Sequence, residues 1–109
     1  MVICVSGKIR DVAVDIRKSS TTFGHYDVID LEENSGKVAF ISAGLGHAFE
    51  VLSESATIVY LLSSLYNKDL EKEINPLDPA LNINWFTENP ILSDKDRKAE
   101  SFNDFTSRL

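Results

Sequence analysis

The sequence predicts an all-β protein, a small antiparallel sandwich closed by a short C-terminal helix. Three observations carry this. Residues 9–17 alternate apolar and polar with period two. Turn signals recur at roughly 8–12-residue spacing through the first half of the chain. After them come apolar residues at helical spacing, Ala99, Phe102, Phe105 and Leu109.

The elements follow in order. Residues 2–5 form a first strand, and the turn Ser6, Gly7, Lys8 folds it against the next. In residues 9–17, Val12, Val14 and Ile16 point one way, and Asp11, Ala13, Asp15 and Arg17 point the other. That pattern suits a strand with one buried face. Residues 18–22 are a polar loop. Further strands are expected over 26–31, 37–41, 48–52 and 57–62, parted by polar or glycine-bearing turns.

Beyond residue 66 the pattern changes. Residues 67–73 are charged and suit one helical turn, but Pro76 and Pro79 rule out a long helix. Leu81, Ile83 and Trp85 read as anchors of an irregular segment. Ser93 followed by Asp96 has the spacing of a helix start, with Asp in place of Glu or Gln.

Composition narrows the function. The chain has 109 residues, enough for one small domain with one core, here spanning 1–109. The net charge is −6, from 17 acidic and 11 basic residues, and the basic residues do not cluster. A nucleic-acid backbone needs such a cluster, so nucleic acid is not expected as a partner. A single nucleotide remains open, because one or two placed cations serve a diphosphate. The apolar runs fall well short of the roughly 18–20 residues of a membrane span. The N-terminus lacks the features of a signal peptide. Cys4 is the single cysteine, so no intrachain disulfide forms, which fits a cytoplasmic protein.

Five segments in order resemble one family. Residues 7–17 (GKIRDVAVDIR) are similar to its G-x-V-x-D-V-A-V-D-[IL]-R, and residues 22–24 to its T-F-G. Residues 41–49 (ISAGLGHAF) resemble I-P-x-G-F-A-H-G-F. Residues 78–85 (DPALNINW) resemble D-P-x-L-G-I-x-W, and residues 92–96 (LSDKD) resemble L-S-x-K-D. The family is the dTDP-4-dehydrorhamnose 3,5-epimerases, cupin-type jelly rolls. The resemblance implies action on dTDP-4-dehydro-6-deoxyglucose without metal or organic cofactor. The reaction removes a proton at C3 and at C5, each alpha to the C4 ketone, and returns it on the opposite face. That takes a base, an acid across the ring and stabilisation of the enolate.

The resemblance also implies roles. Tyr60 matches the family's acid, although Leu61 stands where the family has lysine. Asp96 matches the aspartate that orients the base; the bland reading is that it stabilises a helix start. His47 matches the histidine of the G-x-x-H turn and would bind substrate, the bland reading being a core histidine. Tyr66 matches the second of two tyrosines near the sugar, and Leu65 replaces the first. The base itself sits in an R-G-L-H segment that falls before Met1. An epimerase impaired by lack of its base is therefore the expectation, with a non-catalytic nucleotide-sugar-binding or protein-interaction remnant as the alternative. A homodimer is implied, with residues 2–5 as the pairing edge. With only His25 and His47 in the chain, no metal site is expected. His25, Arg10 and Arg17 read as surface groups.

Overall fold

The computed structural model describes residues 1–65, 67, 69 and 71–109. The chain forms two compact units, Met1–Ser64 and Leu65–Leu109. The first holds five strands, β1 (Val2–Ser6), β2 (Lys8–Asp15), β3 (Tyr26–Glu32), β4 (Leu45–Val51) and β5 (Thr57–Tyr60). The second holds two short helices, α1 (Asp94–Arg97) and α2 (Phe102–Ser107). No helix among the described residues is long and apolar enough to cross a membrane.

The strands form two antiparallel sheets, one in the order β3-β2-β4 and one pairing β1 with β5. Although β1 and β2 are consecutive, they belong to different sheets, and Gly7 is the only residue between them. Its φ is +80°, a conformation that costs an L side chain, and an added Cβ would lie 2.2 Å from the Ser55 carbonyl oxygen. Only glycine makes this corner.

Val2, Cys4, Ile9, Leu31 and Ala39 pack into one buried cluster, with Ile58 and Ala56 against it. Val2, Cys4 and Ile58 come from one sheet and Ile9 and Leu31 from the other, so the cluster lies between them. Each fully buried Val, Leu or Ile contributes roughly 1.5–3 kcal/mol, enough to fix which faces meet.

That interior corrects one expectation. In antiparallel strands, partners opposite one another share a face. Ile9, Asp11 and Ala13 of β2 therefore share a face with Val51, Phe49 and His47 of β4. This is the interior face, and Asp11 and Asp15 on it are 1% and 6% exposed. The row of aspartates expected in solvent is buried. The Val12 and Val14 face is buried as well, so both faces of β2 are covered.

Two further expectations change. Residues 37–41 form no strand; they make a single bridge, in which Val2 N–H donates to Ala39 O at 2.7 Å and Ala39 N–H to Val2 O at 3.0 Å. The C-terminal helix is two helices. Ser93 caps α1, its hydroxyl accepting from Asp96 N–H at 3.1 Å, as the spacing predicted. Ser101 starts a second helix by accepting from Asp104 N–H at 3.1 Å. Phe102 and Phe105 are buried as expected, but Leu109 is 58% exposed.

In the second unit, side chains tie loops together. Asp78 accepts from Ala80 N–H at 2.9 Å and from Phe102 N–H at 2.6 Å. The Trp85 ring nitrogen donates to Pro76 O at 2.9 Å, anchoring the irregular segment. Ile74 makes a lone parallel bridge to Glu100.

Candidate functional site

The polar end of the interior of the first unit is built by β2, β4 and β5. His47 stands opposite Ala13, so it is the diagonal neighbour of Asp11 across the β2–β4 ladder. Its Nε2 lies 2.5 Å from Asp11 Oδ1. The second oxygen, Asp11 Oδ2, is buried and has no hydrogen-bond partner. Leaving a buried polar atom unpaired is costly, so an orphaned carboxylate oxygen in the middle of a strand is unexpected on grounds of stability alone.

The Tyr60 ring meets the His47 ring edge-on, with centroids 5.8 Å apart and planes at 85°. Phe49 lies on another side of His47 at 6.3 Å, tilted by 35°. The structure thus brings together His47 and Tyr60, two residues singled out from the sequence, and adds Asp11, which sequence reasoning took for a surface group. Its signal was present: an acidic residue between Ile9 and Val12, in a strand whose other charges lie nearer the ends.

Burial, and after it the negative charge of Asp11, push the Tyr60 hydroxyl above its ordinary value of 10.0. The phenol therefore keeps its proton at neutral pH and acts as a donor. Among the described residues neither the Tyr60 hydroxyl nor His47 Nδ1 has a protein hydrogen-bond partner. Tyr60 is 45% exposed and the His47 side chain 22% exposed. A phenol that donates and an imidazole thus stand in edge contact, both partly open to solvent.

Asp15 differs. Its Oδ1 accepts from Arg17 N–H at 2.9 Å and Arg17 Nε at 3.0 Å. Its Oδ2 accepts from the other end of the guanidinium at 3.0 Å and from the Thr22 hydroxyl at 2.5 Å. The guanidinium first, then the hydroxyls of Thr22 and Ser20, hold this carboxyl well below the usual carboxylate range. The cluster pins the loop between β2 and β3, where Gly24 N–H donates to Asp15 O at 2.8 Å. Arg17 is thus held by Asp15 and Arg10 bonds Asp30, both as structural charges.

Asp96 is an exposed residue of α1 in the second unit, and Tyr66 falls outside the described residues. His25 is exposed at a turn. Among the described residues no three or more His, Cys, Asp or Glu side chains gather as metal ligands would.

A family model described as dTDP-4-dehydrorhamnose 3,5-epimerase matches residues 1–104. The chain belongs to the dTDP-4-dehydrorhamnose 3,5-epimerase family. It is 42% identical over 106 residues to the dTDP-4-dehydrorhamnose 3,5-epimerase of Mycobacterium tuberculosis strain H37Rv, which covers 94% of this chain and 52% of that protein. To a dTDP-4-dehydro-6-deoxyglucose 3-epimerase of Streptomyces it is 43% identical over 98 residues, 89% of this chain and 50% of the relative. The chain thus spans about half the length of these relatives. Among solved structures, the rmlC epimerase of Mycobacterium tuberculosis superposes with a TM-score of 0.93 at 40% identity, covering 98% of this chain and 55% of that one. The 3'-monoepimerase ChmJ of Streptomyces bikiniensis, in complex with dTDP-quinovose, superposes with a TM-score of 0.87 at 41% identity, covering 94% and 52%. The all-β, antiparallel, cupin-like architecture is therefore that of the epimerase family.

Proposed function

We propose that this chain carries the acid side of a nucleotide-sugar 3,5-epimerase acting on dTDP-4-dehydro-6-deoxyglucose. The observation that carries the reading is the Tyr60 hydroxyl, without a hydrogen-bond partner among the described residues, kept protonated by burial and by Asp11, and in edge contact with His47. In this reading a base removes the proton alpha to the C4 ketone. The electrons pass into an enolate, and Tyr60 returns a proton to carbon from the other face. His47 binds the sugar. By family resemblance Asp96 matches the aspartate that orients the histidine base, and Tyr66 matches a tyrosine that binds the sugar. The chain acts in the cytoplasm, where its lone buried thiol stays reduced.

Solvent exchange tests this. The chain is mixed with dTDP-4-dehydro-6-deoxyglucose in deuterated water, and C3–H and C5–H are followed by proton NMR. Binding of the dTDP-sugar with little or no loss of either signal is the expected result for this chain alone. Loss at C3 alone narrows the activity to a 3-epimerase. Loss of both signals at an enzymatic rate, abolished by Tyr60→Phe, shows that the chain carries a base of its own, and neither binding nor exchange rejects the reading.

We also propose a homodimer. Among the described residues β1 has β5 on one side and only the Val2–Ala39 bridge on the other, and Val5, at a bulge, is 51% exposed. An edge of this kind pairs readily with a second copy. Analytical ultracentrifugation at tens of micromolar should give the dimer mass, and Val5→Lys should shift it toward monomer.

A further inference from the structure

We propose that Asp11 is a positioning residue of this site: it holds the His47 ring with Nε2 as the protonated nitrogen, so that Nδ1 is presented to the ligand as an acceptor for a sugar hydroxyl. The sugar part rests on the function proposed above; the tautomer part does not.

Four observations lead here. The strand register places Asp11 and His47 diagonally on the interior face, and Oδ1 comes within 2.5 Å of Nε2. An ionised carboxylate only accepts hydrogen bonds, so the nitrogen facing it carries the proton and a neutral ring keeps its lone pair on Nδ1. The side chains beside His47 do not compete: Phe49 and Tyr60 contact it through their rings, and neither offers the ring nitrogens a hydrogen bond. Finally, burial is graded along the pair. Asp11 is 1% exposed and the His47 side chain 22%, so one end of the imidazole is anchored while the ring still reaches solvent.

The orphaned Oδ2 bears on purpose. Asp11 sits between Ile9 and Val12, both wholly buried, and gains one hydrogen bond for two buried oxygens. An apolar residue would suit packing there better. The carboxylate instead fixes which proton the histidine carries. In a Ser-His-Asp triad the buried aspartate does the same for its histidine, and its amide variant leaves the wrong tautomer.

The first test needs no variant. Long-range proton–nitrogen spectra of the ¹⁵N-histidine-labelled chain report which ring nitrogen is protonated, and His25→Gln identifies the His47 signals. The proposal expects the Nε2–H tautomer for His47, lost or mixed in Asp11→Asn. An Nδ1–H tautomer in the unaltered chain overturns it, as does a tautomer indifferent to Asp11→Asn. If Asp11→Asn does not fold, the spectrum of the unaltered chain decides. The second test measures affinity for dTDP-glucose and for dTDP by calorimetry. Asp11→Asn should weaken dTDP-glucose about tenfold, as loss of one hydrogen bond allows, and leave dTDP unchanged. In a His47→Ala background Asp11→Asn should add nothing, because it acts through His47. Additive losses overturn the positioning role, and equal weakening of dTDP overturns the sugar hydroxyl as the donor. If the unaltered chain binds neither compound, the function proposed above fails, while the tautomer measurement still judges Asp11.

Discussion

Asp11 and Asp15 lie on one face of one strand, four residues apart, and both are nearly excluded from solvent. Asp15 is saturated: both oxygens accept from Arg17, one also accepts from Thr22, and a loop is closed by the result. Asp11 has one oxygen on a histidine and the other on nothing. The residue type and the strand are the same, so the neighbours decide. Where every lone pair is met locally the carboxylate serves the fold. Where one is left open, beside an unpartnered phenol, it serves whatever enters.

Three changes test that division. The largest effect is expected from Tyr60→Phe, at the Asp11 end. The hydroxyl has no hydrogen-bond partner among the described residues, so its loss should leave the melting temperature nearly unchanged. Any C3 and C5 exchange that the chain supports should slow by roughly 10²–10⁴-fold, the usual contribution of a general acid. A large fall in melting temperature with exchange intact would reverse the assignment.

Next comes Asp15→Asn. Here stability should drop while dTDP-glucose affinity stays, read by thermal denaturation and calorimetry. The effect should depend on pH in a definite sense. The folded-state pKa of Asp15 is depressed. Its stabilisation is therefore complete above the unfolded value of about 3.9 and is lost as the pH falls below that value toward the folded one. The variant should lose less stability than the parent between neutral pH and pH ~3. A steeper acid dependence in the variant would contradict the Asp15 account.

Arg17→Lys should give the smallest change. Lysine keeps the charge but cannot span both carboxylate oxygens as the guanidinium does. Because the Arg17 side chain is 55% exposed, solvent screens much of the pair. A slightly lower melting temperature is expected, with ligand affinity unaltered.

Much of this was legible in the sequence. Alternation in residues 9–17 located β2, and the turns located β3, β4 and β5, because period and punctuation are local signals, although β4 begins at Leu45, before the expected 48, and β5 ends at Tyr60, before the expected 62. The facing of β2 was not legible, since alternation separates two faces without saying which one meets another sheet. Residues 37–41 looked like a strand, but a strand needs a partner along its length and only Ala39 found one. The split helix was readable: Ser101 and Asp104 repeat the spacing of Ser93 and Asp96, and both pairs are caps. His47 and Tyr60 came from resemblance. Asp11 required the register, because its partner is 36 residues away.

One feature of the backbone bears on how such a site keeps its dimensions. Tyr60 pairs with Val2, five residues before Gly7, and Asp11 lies four residues after it. The two walls of the site are therefore measured off in opposite directions from a single vertex. A chain with one residue added between Val2 and Gly7 would carry Tyr60 along by about 3.3 Å and turn its side chain to the other side of the ribbon. The corner acts as the origin of a ruler, and drift in length close to it is far more damaging than the same drift in the loop that follows Arg17.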